Sequence, residues 1–280
     1  MGRFAIKTPP MHAAWSDIVD IWQAADQIEV FESAWNFDHF YPIRGDSNGP
    51  CMEAWVTLTA LAQVTSRLRI GCMVNGMHYR HPAITANMAA TLDIVSAGRL
   101  NLGLGAGWFE LEDQAYGLKL GTIQDRMDRF DEGTEVIARM LSQEETTFAG
   151  RFYELEKARC EPKGPQRPRP PIVIGGKGEQ RTLRTVARWA QMWDAMMIEP
   201  ADWPRKHEVL VGHCEEVGRD PSEITCSAHV RWSKDAAPGE MAEKAANLFE
   251  AGVDVVVFTM SAPYNVAMVE PLAVVLADLH

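Results

Sequence analysis

Along this chain, short apolar runs alternate with longer stretches in which apolar residues recur every three or four positions. The short runs have the length and β-branched content of strands, at 4–7, 32–37, 68–73, 100–104, 171–174, 192–198, 224–231 and 253–259. Helical spacing follows each of them, at 15–28, 53–66, 82–96, 124–141, 179–189, 204–217, 241–251 and 266–279. In the first helical stretch the apolar positions are Trp15, Ile18, Val19, Trp22 and Ala25; in the second they include Trp55, Leu58, Leu61 and Ala62. Pro82 suits a first helical turn, and Gly252 suits a cap before the last strand.

Eight strands, each followed by a helix, is the period of an α/β fold, the (β/α)8 or TIM barrel. An open doubly wound sheet would carry a glycine-rich phosphate turn after its first strand, where this chain has Thr8-Pro9-Pro10. The reading is one barrel domain over 1–280 with inserted loops near 40–52, 104–124 and 142–170. The RPRPP run at 167–171 reads as an extended connector.

Composition narrows the chemistry. A formal charge of −11 argues against nucleic acid and anionic membrane surfaces as partners. The five cysteines are scattered and never spaced CxxC, which reads as reduced thiols in a cytoplasmic protein with no zinc site. The first fifteen residues lack an apolar signal core, and no run reaches ~20 apolar residues, so secretion and membrane spanning are not expected.

The most informative stretch is RLNLGLGAGWFELEDQAYG at 99–117, a strand that breaks into Gly103, Gly105 and Gly107 before Trp108 and Phe109. Glycines there mark either tight backbone packing or close approach of a flat or phosphorylated ligand. Asp38-His39 ends the second strand, where barrel residues face the active site. His39 beside a carboxylate could move a proton, or could cap a turn. Gly175, Gly176, Lys177 and Gly178 join the fifth strand to a helix expected near Glu179, a phosphate cradle or a plain turn, with Lys177 and Arg181 adding positive charge. His78 and His81 lack metal-ligand spacing, and Arg80 and His81 read as polar loop anchors or contacts for an anionic ligand. The acidic runs 110–113 and 144–145 read as solvated surface.

Together these residues carry a resemblance. SAWNFDHF at 33–40, the segment 67–117, RFDEGTEVIARML at 129–141 and PPIVIGGKGEQRTLRTVARWAQMWDA at 170–195 resemble the luciferase-like flavin and deazaflavin oxidoreductases, specifically their F-420-dependent branch. The resemblance implies a TIM barrel holding one flavin-like ring at the carboxyl ends of its strands. It implies that His39, with Asp38 beside it, serves the chemistry. It places phosphate on the backbone of Gly175, Gly176, Lys177 and Gly178, Gly107 and Trp108 along the cofactor, and Met73, Val74 and Asn75 behind the ring. It also implies a non-proline cis peptide at Met73–Val74, and a homodimer formed through the helices after strands two and three.

The chain departs from that pattern at several positions. Sugar-phosphate dehydrogenases of the branch carry glutamate where Trp108 stands and tryptophan where Ile43 stands. Gln191-Met192 stands where relatives often read Asp-Gly, and Val30 replaces a glycine. Three functions follow: hydride transfer between coenzyme F-420 and a small-molecule substrate, an FMN-dependent monooxygenase, or a flavin-binding protein without turnover.

Overall fold

The computed structural model describes residues 2–233 and 235–279. Its strands are β1 (Arg3–Lys7), β2 (Phe31–Asn36), β3 (Arg69–Cys72), β4 (Asn75–Gly76), β5 (Leu100–Gly105), β6 (Thr146–Ala149), β7 (Glu154–Ala158), β8 (Ile172–Gly175), β9 (Met192–Asp194), β10 (Thr225–Trp232) and β11 (Val255–Met260). Nine of them form one parallel sheet in the order β3-β2-β1-β11-β10-β9-β8-β5-β4. Pairing of β3 with β5 closes it into the expected TIM barrel, with β3 and β4 as two halves of one interrupted barrel strand. The break between them is Met73–Val74, whose peptide bond is cis, as the resemblance implied.

The barrel strands are apolar because both faces are covered. In β11 every residue from Val255 to Met260 is buried. Ala5, Trp35, Met73, Val173, Met192, Val255 and Val257 pack together as an inner cluster. The larger cluster joins the sheet to the helices, with Phe4, Trp22, Phe31, Phe258 and Trp193 among its fully buried side chains. Burying each such side chain contributes about 1.5–3 kcal/mol before conformational entropy is counted against it.

The helices are α1 (Trp15–Asp26), α2 (Ala54–Val64), α3 (Pro82–Val95), α4 (Glu110–Tyr116), α5 (Ile123–Ser142), α6 (Thr182–Trp189), α7 (Trp203–Glu216), α8 (Pro238–Ala251) and α9 (Val269–Leu276). Their starts are set by side chains: Glu53 accepts the Val56 N–H at the head of α2, and His81 Nδ1 accepts the Ala83 N–H ahead of Pro82 in α3. Gly252 ends α8 in the left-handed conformation.

Three differences from the sequence reading concern the connections. The segment 142–170 contains an antiparallel hairpin, β6–β7, whose turn donates the Arg151 and Phe152 N–H groups to Glu132 of α5. The acidic run 110–113, expected as solvated surface, opens α4: Glu110 is exposed as expected, but Glu112 is fully buried. The helix expected near Glu179 starts at Thr182 instead. Among the described residues, no helix is long and apolar enough to cross a membrane.

Candidate active site

A cleft of about 490 Å³ opens at the carboxyl ends of the barrel strands. Nearly every wall is a strand end: Lys7, Phe37, Asp38, His39, Gly76, Gly105, Gly175 and Asp194 lie at or just beyond β1, β2, β4, β5, β8 and β9. Of the sequence-predicted residues, His39, Asp38, Met73, Val74, Gly107, Trp108, Gly175 and Gly176 line the cleft. Asn75, Lys177 and Gly178 do not. Asn75 is buried behind the wall and donates to the Gly103 carbonyl at 2.7 Å. Lys177 is exposed and reaches the Met197 carbonyl at 3.1 Å.

His39 is held from behind. Its Nδ1 lies 3.0 Å from Oε2 of Glu112, which is fully buried. Glu112 is charged at neutral pH: burial opposes its charge, but hydrogen bonds from His39, Tyr79 and the Tyr41 N–H outweigh burial and hold the carboxyl below the usual range. Its other oxygen accepts the N–H groups of Phe40 at 2.6 Å and Tyr41 at 2.9 Å. Tyr79 donates its hydroxyl to Glu112 as well. An ionised acceptor behind Nδ1 fixes the proton there and leaves Nε2 as the exchanging atom. Among the described residues Nε2 has no partner, while the rings of Phe37, Trp108 and Phe109 surround the imidazole at 5.0–5.7 Å.

Asp38 has a different environment from the one its adjacency to His39 implied. Both its oxygens accept from Arg80, at 2.6 and 3.0 Å, and Arg80 also meets Glu53 at 2.7 Å. The carboxylate that orients His39 comes from α4, not from the neighbouring residue. Arg80 and His81 are loop anchors, as one of the two sequence readings held.

The glycines of the 103–107 run divide between packing and lining. A Cβ on Gly103 would lie 1.9 Å from the Cys72 carbonyl oxygen, and one on Gly105 would lie 2.6 Å from Val74. These two glycines admit the neighbouring strand and the cis-linked Val74, so packing explains them before any ligand does. Val74 and Met73 then present an apolar wall to the cleft, with Gly175 beside them. Gly176 has φ +128°, a conformation that side chains resist, and turns the chain toward Thr182. The N–H groups of Lys177 and Gly178 find no acceptor among the described residues.

Sequence reasoning missed a second polar group. Lys7 donates to the Met73 carbonyl at 2.6 Å, and burial pulls its pKa down against the opposing charge of Asp194. Asp194 accepts the Met196 N–H at 2.9 Å and lies 3.0 Å from Nε2 of buried His229. Lys7 ends the first apolar run as Asp38 and His39 follow the second, whereas Asp194 lies inside the expected run 192–198 and becomes a strand end only because β9 stops there. Among the described residues, no group of His, Cys, Asp and Glu side chains has the arrangement of a metal site.

The chain as a whole has counterparts among known proteins. Residues 2–273 match the sequence pattern of the luciferase-like monooxygenases. The chain belongs to that family. It is 32% identical over 203 residues to an F-420-dependent hydroxymycolic acid dehydrogenase of Mycobacterium tuberculosis, an alignment covering 72% of this chain and 54% of that protein. It is 30% identical over 162 residues to an F-420-dependent glucose-6-phosphate dehydrogenase of Amycolatopsis mediterranei, covering 57% of this chain and 47% of that one. This luciferase-like chain thus matches about half the length of each. An F-420-dependent secondary alcohol dehydrogenase, solved with an F-420–acetone adduct, superimposes with a TM-score of 0.89 over all of both chains at 19% identity, which shows the shared barrel.

Proposed function

We propose that this chain is an F-420-dependent oxidoreductase that moves a hydride between the deazaflavin and a carbon of a small alcohol or carbonyl compound. The observation that carries the reading is His39, with Nδ1 held by Glu112, lining the same cleft as Met73 and Val74. The relatives named for F-420 chemistry support the choice of cofactor. The residues fit such a group: a flat apolar wall for a ring, and Gly176 with the free N–H groups of Lys177 and Gly178 for a phosphate. When bound, the deazaflavin supplies the hydride acceptor or donor. His39 holds or releases the substrate proton at Nε2, while Glu112 and Tyr79 keep the ring in place. Trp108 and Ile43 line the same cleft and offer apolar surface to a substrate there. Trp108 stands where sugar-phosphate dehydrogenases of the branch carry glutamate, which favours a less polar substrate.

Titration of tryptophan fluorescence with F-420 and FMN side by side tests this. F-420 is expected to bind more tightly, and Gly176→Val is expected to weaken it by about tenfold, equivalent to ~1.4 kcal/mol. Tighter FMN binding would reassign the cofactor.

The reading extends to a homodimer. Between α2 and α3 lies a groove of about 630 Å³ lined by Trp55, Val56, Met88 and Val95. Val56 is 72% exposed, and the buried Trp55 Nε1 has no acceptor among the described residues. Light scattering should give twice the chain mass, and Val56→Lys should return the monomer.

A further inference from the structure

We propose that Asp194 and His229 form a second carboxylate–imidazole pair that carries protons between the cleft and a smaller pocket beside it. The pair spans the boundary between two spaces. Asp194 lines the cleft, and His229 lines an adjacent pocket of about 360 Å³. Every polar contact of Asp194 falls on Oδ1: the Met196 N–H at 2.9 Å, the Ser227 hydroxyl at 3.4 Å and His229 Nε2 at 3.0 Å. Oδ2 accepts no hydrogen bond among the described residues. It lies on the Gly175 side, 3.6 Å from where a Cβ on that glycine would sit, and Gly175 is the β-ladder partner of Asp194.

His229 is 6% exposed, and its Nδ1 lies 3.0 Å from the Thr259 hydroxyl. Its Nε2 faces Asp194 Oδ1 at 3.0 Å, so the two nitrogens of the ring meet one polar group each, a carboxylate on the cleft side and a hydroxyl on the other.

The charged and polar groups around the pair come from four barrel strands and the rim of the smaller pocket. β1 contributes Lys7, β9 Asp194, β11 the neutral Thr259, and β10 itself Ser227. Glu199, Arg231 and Lys244 stand around the smaller pocket. Burial opposes the charge of Asp194, but His229 and Lys7 hold its carboxyl below the usual range. Lys7 and Asp194 attract one another as opposite charges beside the cleft.

The transfer balances simply. An imidazolium gives its Nε2 proton to Asp194 Oδ1, producing a neutral imidazole and a carboxylic acid. The acid turns and releases the proton from its cleft-facing oxygen to an anionic ligand group. The neutral imidazole then takes a proton from hydronium or buffer acid entering the smaller pocket, so one proton has crossed and the pair is back in its starting state. His39 sits outside this path, so the substrate proton and the second proton have separate holders.

The inference uses the cofactor reading only for its probe, F-420. Calorimetric binding of F-420 to the intact protein, in two buffers of different ionisation heat at neutral pH, counts the protons taken up. Wild type should take up a fraction of a proton per ligand bound. Asp194→Asn and His229→Gln should each lose that uptake, while His39→Gln keeps it. Unchanged uptake in both pair variants overturns the relay. A second measurement needs no cofactor: imidazole ¹⁵N spectra of the ligand-free protein. Asp194→Asn should shift the His229 nitrogens and leave those of His39 in place. An unshifted His229 also overturns the proposal, whether or not F-420 binds. Failure of F-420 to bind wild type, with His229 still responding to Asp194, would instead count against the cofactor reading.

Discussion

Asp38 and His39 are neighbours in sequence and belong to different machines. The Asp38 carboxylate is consumed by Arg80, which also holds Glu53 at the head of α2, so this cluster fastens the loop after β2 to the helix that follows. His39 turns the other way. Its carboxylate lies 73 positions further along, on a helix of seven residues, and one imidazole nitrogen stays open. A buried acid with both oxygens paired to an arginine is a fixture. A histidine with one nitrogen tied and the other free can turn over protons. Adjacency along the chain says little about which is which; the partner does.

The sharpest way to break this contrast is to remove each member. His39→Ala should lower turnover by about 10²-fold or more, the size of a lost general acid or base, with F-420 affinity changing far less. Loss of affinity alone would make His39 a ligand-positioning residue. Asp38→Asn should act on the fold instead, costing about 3 kcal/mol in a denaturant melt by stranding part of the Arg80 charge in a buried site. Its folded fraction should keep most of its turnover. If Asp38→Asn lowered turnover as far as His39→Ala while the melt was unchanged, the two clusters would have to be merged.

A milder variant probes the support. Glu112→Gln keeps the shape but removes the charge behind Nδ1, and turnover should fall on the order of 10-fold, the scale found for groups that orient a histidine from behind. The smallest expected effect is on acid stability. The Glu112 carboxyl is depressed below its ordinary 4.5, so its contribution is complete above that pH and drains away as pH falls through the lower folded value. Melting temperature should therefore decline more steeply below about pH 4.5 in wild type than in Glu112→Gln. Parallel curves would show that the folded protein does not hold the Glu112 carboxyl below its ordinary range.

The barrel was legible because parallel strands covered on both faces must be apolar along their length, and runs such as Val255–Met260 have few other homes. The hairpin was not. β7 buries only Leu155 in a run of charged residues, which reads as a surface loop. The site divides the same way. His39, Val74 and Gly176 stand in motifs local enough to read. Glu112 looked like one acid among many in a chain with 38 of them, and only the packing of α4 against the loop after β2 shows that it is buried. Lys7, Asp194 and His229 come from β1, β9 and β10, and nothing in the linear spacing joins them before the sheet closes.

The two backbone N–H groups that Phe40 and Tyr41 give to Glu112 have a consequence for how such a site can change over time. They make the 40–52 loop and the 106–122 segment a matched set. A graft that exchanges one for a relative's version, to widen the mouth or admit a bulkier molecule, discards the latch that keeps the imidazole aligned. New specificity in this scaffold is then reached by swapping both pieces together, or by changing residues such as Ile43 and Trp108 that face the opening without holding the latch.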